Sequence, residues 1–135
     1  MIGLDTNVVV RYLAQDDARQ SATATRLIEH ELSAAQPGFI SLVVLVEICW
    51  VLKRLYSATQ AELVDTVADM LNTAQFEIEH REAVQAATQW VKTAKKSKAE
   101  FTDRLIAQIA LNAGCTHTLS FDKGAVRAAG MVLLV

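Results

Sequence analysis

Apolar residues in this chain form short runs that are typical of strands, separated by longer segments with helical spacing. The strand-like runs lie at residues 1–4, 39–40, 76–79, 117–119 and 131–135. Helical spacing predicts helices at residues 8–13, 16–32, 42–56, 59–72, 81–96, 101–113 and 122–129. Because strands alternate with helices, we predict an α/β fold with parallel strands, right-handed crossovers and helices on both faces of the sheet.

Two aspartates lie at the carboxyl ends of predicted strands. Asp5 follows the first strand and Asp122 follows the fourth. Ligands of such sheets bind beyond the carboxyl ends of the strands, so we expect these two carboxylates to be adjacent in space. Alternatively, each aspartate caps the helix that follows it, since aspartate is a favoured residue at that position.

Glu47 lies in the most apolar part of the chain. Between residues 39 and 52, only Ser41 and Glu47 are polar. We expect Glu47 to be buried, and a buried carboxylate without a partner is costly. It would therefore bind a metal ion or pair with a cation, for which Arg11 and Arg54 are the candidates.

Two more acids occur where the helix at 101–113 begins. Asp103 lies at the edge of the apolar stripe of this helix, on the side of Ala107 and Ala110. It either joins the same site or forms a surface ion pair with a neighbouring lysine. Glu100, one turn earlier, either joins the site or remains exposed.

One arrangement accounts for Asp5, Glu47, Asp103 and Asp122 together. Two strand ends and two helices would converge on a pocket rich in oxygen ligands, which Mg²⁺ and Mn²⁺ prefer. Several carboxylates around one or two such ions are used for phosphodiester hydrolysis, with a metal-activated water as nucleophile. A second layer of polar groups would orient the carboxylates or hold metal-bound water, and its candidates are Thr6, Asn7, Ser120 and Glu100.

Composition limits the classes of protein that the chain can represent. With 135 residues and 52% apolar residues, we expect one domain over residues 1–135 with a substantial core. No signal peptide or membrane-spanning segment is predicted, so we expect a cytoplasmic protein without membrane contact. Cys49 and Cys115 have no metal-ligand spacing and are expected to be reduced. Trp50 and Trp90 have the spacing of core residues.

Net charge does not exclude an RNA partner. The 13 basic and 15 acidic residues give −2, and setting four metal-binding acids aside leaves 11 acids and a net charge of +2. Lys92, Lys95, Lys96 and Lys98 form either a solvated helix end or a rim that contacts phosphate. Other candidate phosphate contacts are Arg11, Arg104 and Lys123, each of which is equally suited to an ordinary salt bridge.

Four segments together resemble one known family. They read M-I-G-L-D-T-N-V at the amino terminus, S-L-V-V-L-V-E around Glu47, E-F-T-D-R-L-I-A around Asp103 and T-L-S-F-D-K around Asp122. This ordered set resembles the PIN-domain ribonucleases, and most closely the VapC-type toxins of toxin–antitoxin modules. Each segment alone is a weak signal, but the resemblance extends over essentially the whole chain.

The resemblance implies a PIN-like three-layer α/β/α sandwich with a five-stranded parallel sheet flanked by helices. It implies Mg²⁺- or Mn²⁺-dependent endonucleolytic cleavage of RNA, with metal-binding acids at Asp5, Glu47, Asp103 and Asp122. It further implies a homodimer and a cognate VapB-type antitoxin whose tail enters the active site. The chain departs from the pattern at Glu100, where many relatives have aspartate, and at Ser120, where many have threonine. Both substitutions keep an oxygen ligand.

Two other functions compete with this hypothesis. A receiver-like signalling domain would need an aspartate that accepts phosphate after a central strand, but the strand at 76–79 is followed by His80. A non-catalytic PIN-like domain that binds RNA or protein would be expected to lack some of the acids, and none is missing.

An excess of apolar surface predicts the oligomeric state. The face from Leu45 to Leu55 and the helix at 59–72 are more apolar than a core of this size requires. We therefore expect a homodimer that forms through these two helices.

Overall fold

The computed structural model describes residues 1–94 and 100–135 of the protein. Lys95, Lys96 and Lys98, which we considered as part of a phosphate-contacting rim, lie outside the described residues. The chain divides into two compact units. The first unit contains Met1–Ala58 and Asp69–Glu79, and the second contains Thr59–Ala68 and His80–Val135. Whether residues 1–135 act as one domain stays a prediction.

The first unit begins with a strand and two short helices. These are β1 (Ile2–Gly3), α1 (Thr6–Ala14) and α2 (Ala18–Arg26), and α2 continues into a π-helical turn at Leu27–Glu31. Strand β2 (Gly38–Ile40) and helix α3 (Leu42–Leu55) follow. The unit is completed by the end of helix α4 (Gln60–Leu71) and by strand β3 (Phe76–Ile78).

A parallel three-stranded sheet with the order β1-β2-β3 organises the first unit. Ile2 pairs with Gly38, and Gly38 pairs with Phe76 on its other side. Because all three strands run in the same direction, Asp5, Ser41 and Glu79 follow strands at one edge of the sheet. This edge is the one where an α/β fold places its ligands.

Close packing in the first unit requires a glycine in the central strand. A Cβ atom at Gly38 would lie 2.5 Å from Leu4 Cδ1 and 2.9 Å from Leu32 Cδ1, so any side chain there would displace the core. Ile28 and Ile40 are fully buried in the same unit. Substitution of Gly38 would overpack this core, which generally destabilises a fold.

The second unit contains the start of α4, three further helices and two short strands. The helices are α5 (Arg81–Thr93), α6 (Phe101–Asn112) and α7 (Lys123–Ala129). Strands β4 (Leu119–Ser120) and β5 (Val132–Leu133) are parallel, and Leu119 pairs with Val132.

Side chains from distant parts of the sequence complete the helix ends of the second unit. The Oε1 atom of Gln60, at the start of α4, accepts a hydrogen bond of 2.8 Å from the backbone N–H of Phe101, the first residue of α6. Thr59 and Glu62 form the predicted capping box, with bonds of 3.0 and 3.2 Å in the two directions. Gly114 has a φ of 97°, the left-handed conformation expected after α6.

The α/β prediction is confirmed, with one change to the sheet. Five strands occur in the described residues and helices connect them. Each of the three hydrogen-bonded strand pairs, β1–β2, β2–β3 and β4–β5, is parallel. Instead of one five-stranded sheet, they form a sheet of three strands and a sheet of two. Strand β4 is a two-residue element that begins at Leu119, so the predicted strand at 117–119 is displaced toward the carboxyl terminus.

Our expectation that Glu47 would be buried is wrong. Helix α3 is apolar around most of its circumference and buries the face that carries Leu45, Ile48, Cys49 and Leu52. Glu47 is exposed on the other side of the helix. The cost of a buried charge therefore gives no reason for Glu47 to bind a metal.

The expected core position of Trp50 is wrong as well. The Trp50 side chain is 56% exposed, and the guanidinium of Arg54 stacks on its ring at 5.2 Å. Val43 is 78% exposed on the same helix. Helix α3 thus presents an apolar surface of the kind that the predicted homodimer needs.

Helix α4 does not present such a surface. Its larger apolar side chains are all buried, namely Leu63, Val64, Val67, Met70 and Leu71. The part of the homodimer prediction that relies on α4 therefore loses its basis, and the part that relies on α3 stays a prediction. None of the helices within residues 1–94 and 100–135 is long and apolar enough to cross a membrane.

The two cysteines are both free, and they differ in exposure. Burial raises the pKa of the Cys49 thiol to about 12, whereas Cys115 is exposed. Because the thiolate is the reactive form, we expect a thiol reagent at neutral pH to label Cys115 rapidly and Cys49 only after unfolding. Mass spectrometry of the native protein should find one label, and Cys115→Ser should remove it. Two labels on the native protein would contradict the burial of Cys49.

Candidate functional site

A cavity of about 280 Å³ lies in the first unit, between the beginning of helix α1 and helix α3. Two carboxylates, those of Asp5 and Glu47, reach this cavity from different elements. The full lining consists of Asp5, Thr6, Asn7, Val10, Arg11, Glu47, Val51, Leu55 and Tyr56. Several residues that the sequence predicts to be functional therefore share one cavity although up to 42 positions separate them in the sequence.

Helical spacing explains which residues line the cavity. Asn7, Val10 and Arg11 lie three and four positions apart on α1, so they share one face of that helix. Glu47 and Val51 are four positions apart on α3 and likewise share a face. The cavity is therefore bounded by one stripe from each helix.

Asp5 is the N-cap of α1, and both of its predicted roles are compatible with this position. Its Oδ1 atom accepts a hydrogen bond of 2.8 Å from the backbone N–H of Thr6. A carboxylate has two oxygens, so a capping aspartate retains acceptor capacity for a second partner. The exposed Asp5 side chain can thus begin the helix and also bind a cation in the cavity.

Thr6 is the most informative residue of the lining. Its side chain is 7% exposed, and its Oγ1 atom has no hydrogen-bond partner among the described residues. Buried hydroxyl groups almost always have a partner, so an orphaned one next to a cavity points to a bound ion or water. The predicted role of Thr6 in supporting the metal site fits this environment.

Arg11 is held by a network that connects three elements. Its guanidinium pairs with the Asp16 carboxylate at 3.3 Å and donates from Nε to Gln20 Oε1 at 2.8 Å. The hydroxyl of Tyr56, which follows α3, donates a short hydrogen bond to the other oxygen of Asp16. Asp16 and Tyr56 could not be assigned to the site from the sequence, since no local pattern connects residues 40 positions apart.

The connection between α1 and α2 is fixed by further bonds. Gln15 adopts a left-handed conformation with a φ of 54°, and its Nε2 atom donates to Tyr12 O at 2.7 Å and to Thr25 Oγ1 at 3.0 Å. Ser21 Oγ donates to Arg11 O at 2.8 Å. The connection between the two helices is therefore held in one conformation by side-chain hydrogen bonds.

The Asp16–Tyr56 bond changes the acidity of both groups. It lowers the pKa of Asp16 and raises the pKa of Tyr56, because the hydrogen bond from the phenol O–H stabilises the ionised carboxylate and the neutral phenol. The contribution of Asp16 to stability is thus present above the ordinary carboxyl pKa and is lost as pH falls through the lowered value. The contribution of Tyr56 is present below the ordinary phenol pKa and is lost as pH rises through the raised value.

The remaining predicted acids belong to the second unit. Asp122 is the N-cap of α7, and its Oδ1 atom accepts a bond of 2.8 Å from Gly124 N. Ser120 Oγ accepts a bond of 3.0 Å from Asp122 N, so Ser120 orients the loop that carries this aspartate. Lys123 is exposed on the first turn of α7.

The other two acids lie at the beginning of helix α6. Asp103 is half-buried, and Glu100 is exposed at the N-cap position without a side-chain capping bond. Carboxylates at this end of a helix are favoured by its dipole. In the same unit, Lys92 lies 3.9 Å from the Asp65 carboxylate at the surface, consistent with the solvated alternative for this lysine.

Arg104 serves the packing of the second unit. Its guanidinium donates to Ala129 O at 3.1 Å and to Gln108 Oε1 at 3.0 Å, and it stacks over the Trp90 ring at 4.5 Å. Burial lowers the pKa of Arg104, although a guanidinium remains charged at neutral pH. Arg104 thus contributes to the packing of the second unit, and its predicted phosphate contact stays a prediction.

The cavity of the first unit fits a hard divalent cation by its donor atoms. Asp5, Thr6, Asn7 and Glu47 offer carboxylate, hydroxyl and amide oxygens, and no sulfur or imidazole ligand lines the cavity. Among residues 1–94 and 100–135, no three His, Cys, Asp or Glu side chains form a group that could hold a metal ion. The predicted meeting of all four acids around a shared ion stays a prediction.

Comparison with known proteins identifies a family match along nearly the whole chain. The family model described as PIN domain matches residues 2–131. The solved structure of VapC20 from Mycobacterium tuberculosis, a toxin that cleaves the sarcin-ricin loop, is 23% identical to the chain. That alignment covers 98% of this chain and 97% of the other, with a TM-score of 0.45. No curated protein matches the chain.

The Asp16–Tyr56 bond can be tested by titration. We expect Asp16→Asn to lower the pKa of Tyr56 toward the ordinary phenol value, because the amide carries no charge to hold the proton. Tyrosine ionisation followed by ultraviolet absorbance measures this, and Tyr56→Phe assigns the signal. Glu29→Gln is the matched control, since Glu29 contributes to the raised pKa of Tyr12 and not to that of Tyr56. An unchanged Tyr56 titration in Asp16→Asn would disprove the bond.

The structural role of Arg104 predicts a loss of stability. Arg104→Ala should reduce the free energy of unfolding by about 2 kcal/mol, because it removes a stacking contact and two hydrogen bonds. Arg127→Ala removes the same charge from an exposed position of α7 and should change stability by less than about 0.5 kcal/mol. Urea denaturation measures both values. Equal effects of the two substitutions would contradict the role given to Arg104.

Proposed function

Since the chain belongs to the PIN-domain family, we propose that it is a divalent-metal-dependent endoribonuclease and the toxin of a toxin–antitoxin pair. The observation that supports this proposal best is the cavity in which Asp5 and Glu47 accompany the orphaned hydroxyl of Thr6. The order of the four acidic segments in the sequence supports the proposal independently, because this order resembles that in the VapC-type toxins.

Four acids are proposed to hold the cation, which is Mg²⁺ or Mn²⁺. The proposed ligands are Asp5, Glu47, Asp103 and Asp122. Thr6, Asn7, Ser120 and Glu100 are proposed to support these ligands. A bound divalent ion would supply an activated water at neutral pH and would stabilise the charge of the leaving oxygen.

The residues around the cavity have distinct proposed tasks. Arg11 offers a fixed guanidinium to a phosphate oxygen, because the carboxylate of Asp16 and the amide of Gln20 already orient it. The Asn7 amide can donate to a second phosphate oxygen. Lys123 is a further proposed phosphate contact. These groups position the scissile phosphate, which is a large part of catalysis in phosphoryl chemistry.

Exposure of the acids suits a polymeric substrate. Asp5 and Glu47 are both exposed, so an RNA strand can reach them without opening the fold. The proposed cleavage site is a single-stranded loop or end of an RNA, because these are the parts whose sequence proteins recognise. The proposed partners are RNA and a VapB-type antitoxin, and the proposed setting is the cytoplasm. A homodimer through the exposed surface of α3 completes the proposal.

The alternative function is a non-catalytic PIN-like domain that binds RNA or protein. It differs from the nuclease in having no need for a divalent ion. A calorimetric titration with Mn²⁺ separates the two functions. Binding that disappears in Asp5→Asn supports the nuclease, and the absence of binding to the wild-type protein supports the alternative.

Conservative substitutions at the two carboxylates should abolish cleavage. Asp5→Asn and Glu47→Gln are each expected to lower Mn²⁺-dependent RNA cleavage at least about 100-fold, because an amide is a much poorer cation ligand than a carboxylate. Asparagine is also a good N-cap, so Asp5→Asn should leave helix α1 intact. The rate of cleavage of a labelled RNA measures the effect.

Glu77→Gln is the matched control for charge. Glu77 is an exposed glutamate of β3 outside the cavity lining, so its substitution should leave the rate unchanged. Wild-type rates in Asp5→Asn and Glu47→Gln would disprove the site. A wild-type protein that binds Mn²⁺ but cleaves no RNA would disprove the activity.

A further inference from the structure

A second cavity of about 500 Å³ lies beside the first, between helices α1 and α2 of the same unit. It is not part of the proposed metal site. Its lining consists of Asn7, Val8, Arg11, Arg19, Gln20, Thr23, Ala24 and Leu27. Two of these residues, Asn7 and Arg11, also line the first cavity, so the two cavities are neighbours.

The lining of the second cavity is cationic and partly apolar. It includes two arginines, Arg11 and Arg19, and no aspartate or glutamate. Val8, Ala24 and Leu27 supply an apolar part, while polar side chains supply amides and a hydroxyl. Such a mixture is suited to a ligand with a negative charge and a flat apolar body.

Arg19 is available to an anion. It is exposed on the first turn of α2 and has no ion pair or side-chain hydrogen bond within residues 1–94 and 100–135. Thr23 and Leu27 follow it at intervals of four residues, so the three share one side of the helix. The Thr23 hydroxyl donates to Arg19 O at 3.0 Å, which fixes its position at the cavity.

The two acids that precede α2 in the sequence already have partners. Asp16 binds Arg11 and Tyr56, and Asp17 caps α2 by accepting a bond of 2.8 Å from Gln20 N. Neither belongs to the lining. The positive charge of Arg19 is therefore not neutralised within the cavity.

Gln20 connects the second cavity to the proposed reaction site. Its Oε1 atom accepts the bond from Arg11 Nε, which leaves its Nε2 group as a donor for another partner. The Asn7 amide is a second potential donor at the boundary of the two cavities. A ligand that spans both cavities would meet the Arg11 guanidinium between them.

From these observations we infer that the second cavity binds the nucleotide next to the scissile phosphate of a single-stranded RNA. Its base would lie against the apolar part formed by Val8, Ala24 and Leu27, and its phosphate would pair with Arg19. The amides of Asn7 and Gln20 would contact polar edges of the nucleotide. Recognition of unstacked bases by apolar and arginine surfaces is usual for single-stranded RNA. This inference rests on the proposed nuclease function and names the part of the substrate bound beside it.

RNA binding by a cleavage-blocked protein tests the phosphate contact. In the Glu47→Gln background, with Mg²⁺ held constant, fluorescence anisotropy measures the affinity for a short single-stranded RNA. Adding Arg19→Gln should weaken binding about tenfold, as expected for a charge-assisted hydrogen bond. It should also reduce the dependence of log affinity on log salt concentration by about 0.7.

Arg26→Gln is the matched control. Arg26 is an exposed arginine at the end of α2 that does not line the cavity, and its loss changes the net charge equally. Equal weakening by Arg19→Gln and Arg26→Gln would overturn the inference, because the loss of RNA affinity would then be due to the overall charge of the protein.

The contact with the base is tested by filling the cavity. Thr23→Phe should weaken binding of the intact RNA but should have little effect on an RNA that carries an abasic site at the bound position. Ala22→Phe, at an exposed position of α2 outside the lining, should leave both affinities unchanged. Equal loss for intact and abasic RNA with Thr23→Phe would contradict a base in the cavity.

Two further outcomes separate this inference from the proposed function. Cleavage by the wild-type protein with equal RNA affinities for Arg19→Gln and Arg26→Gln would overturn the second cavity and leave the nuclease intact. Binding of RNA that depends on Arg19 in a protein that never cleaves would leave the cavity intact and refute the nuclease.

Binding of a polyglutamate peptide that depends on Arg19, without binding of RNA, would show that the cavity takes an acidic peptide and would overturn the inference.

Discussion

The first unit of the protein depends on the hydrogen bond from the backbone of Thr6 to the Asp5 carboxylate. This bond starts α1 immediately after β1 and so fixes the direction in which the helix leaves the sheet. With that direction set, Asn7 and Arg11 face the cavity that Glu47 reaches from α3. The Asp5 carboxylate therefore begins the helix and also contributes to the proposed cation site. The two roles are compatible because a carboxylate has two oxygens.

The sequence predicted the features that arise from local pattern. Strand-like and helical spacing located the elements to within a few residues, and the aspartates after β1 and before α7 were found because turn chemistry is local. It also associated Asp5 with Glu47, which do line one cavity. One of its errors was the burial of Glu47. A helix that is apolar on nearly all sides gives no indication of which side faces the core, and α3 buries the side opposite to Glu47.

Long-range contacts could not be predicted in this way. The bond between Tyr56 and Asp16 joins the end of one helix to a loop 40 residues earlier, and neither residue stands out in its own segment. The orphaned hydroxyl of Thr6 is visible only once its surroundings are known. The role of Arg104 is similar, because its partners Trp90 and Ala129 come from separate helices of the second unit. Charge and position suggested that Arg104 contacts phosphate, and only the structure shows that it also packs against Trp90.

The bonds made by Gln15 and Asp16 have a thermodynamic consequence. They hold the α1–α2 connection in one conformation before any ligand arrives, with a left-handed residue at its centre. A surface that is rigid in advance loses little conformational entropy when a flexible strand settles on it, so more of the contact energy remains as affinity. For the proposed RNA ligand, the ordering penalty would then fall almost wholly on the nucleic acid, which would favour strands whose bases are already unstacked over those that must first be opened.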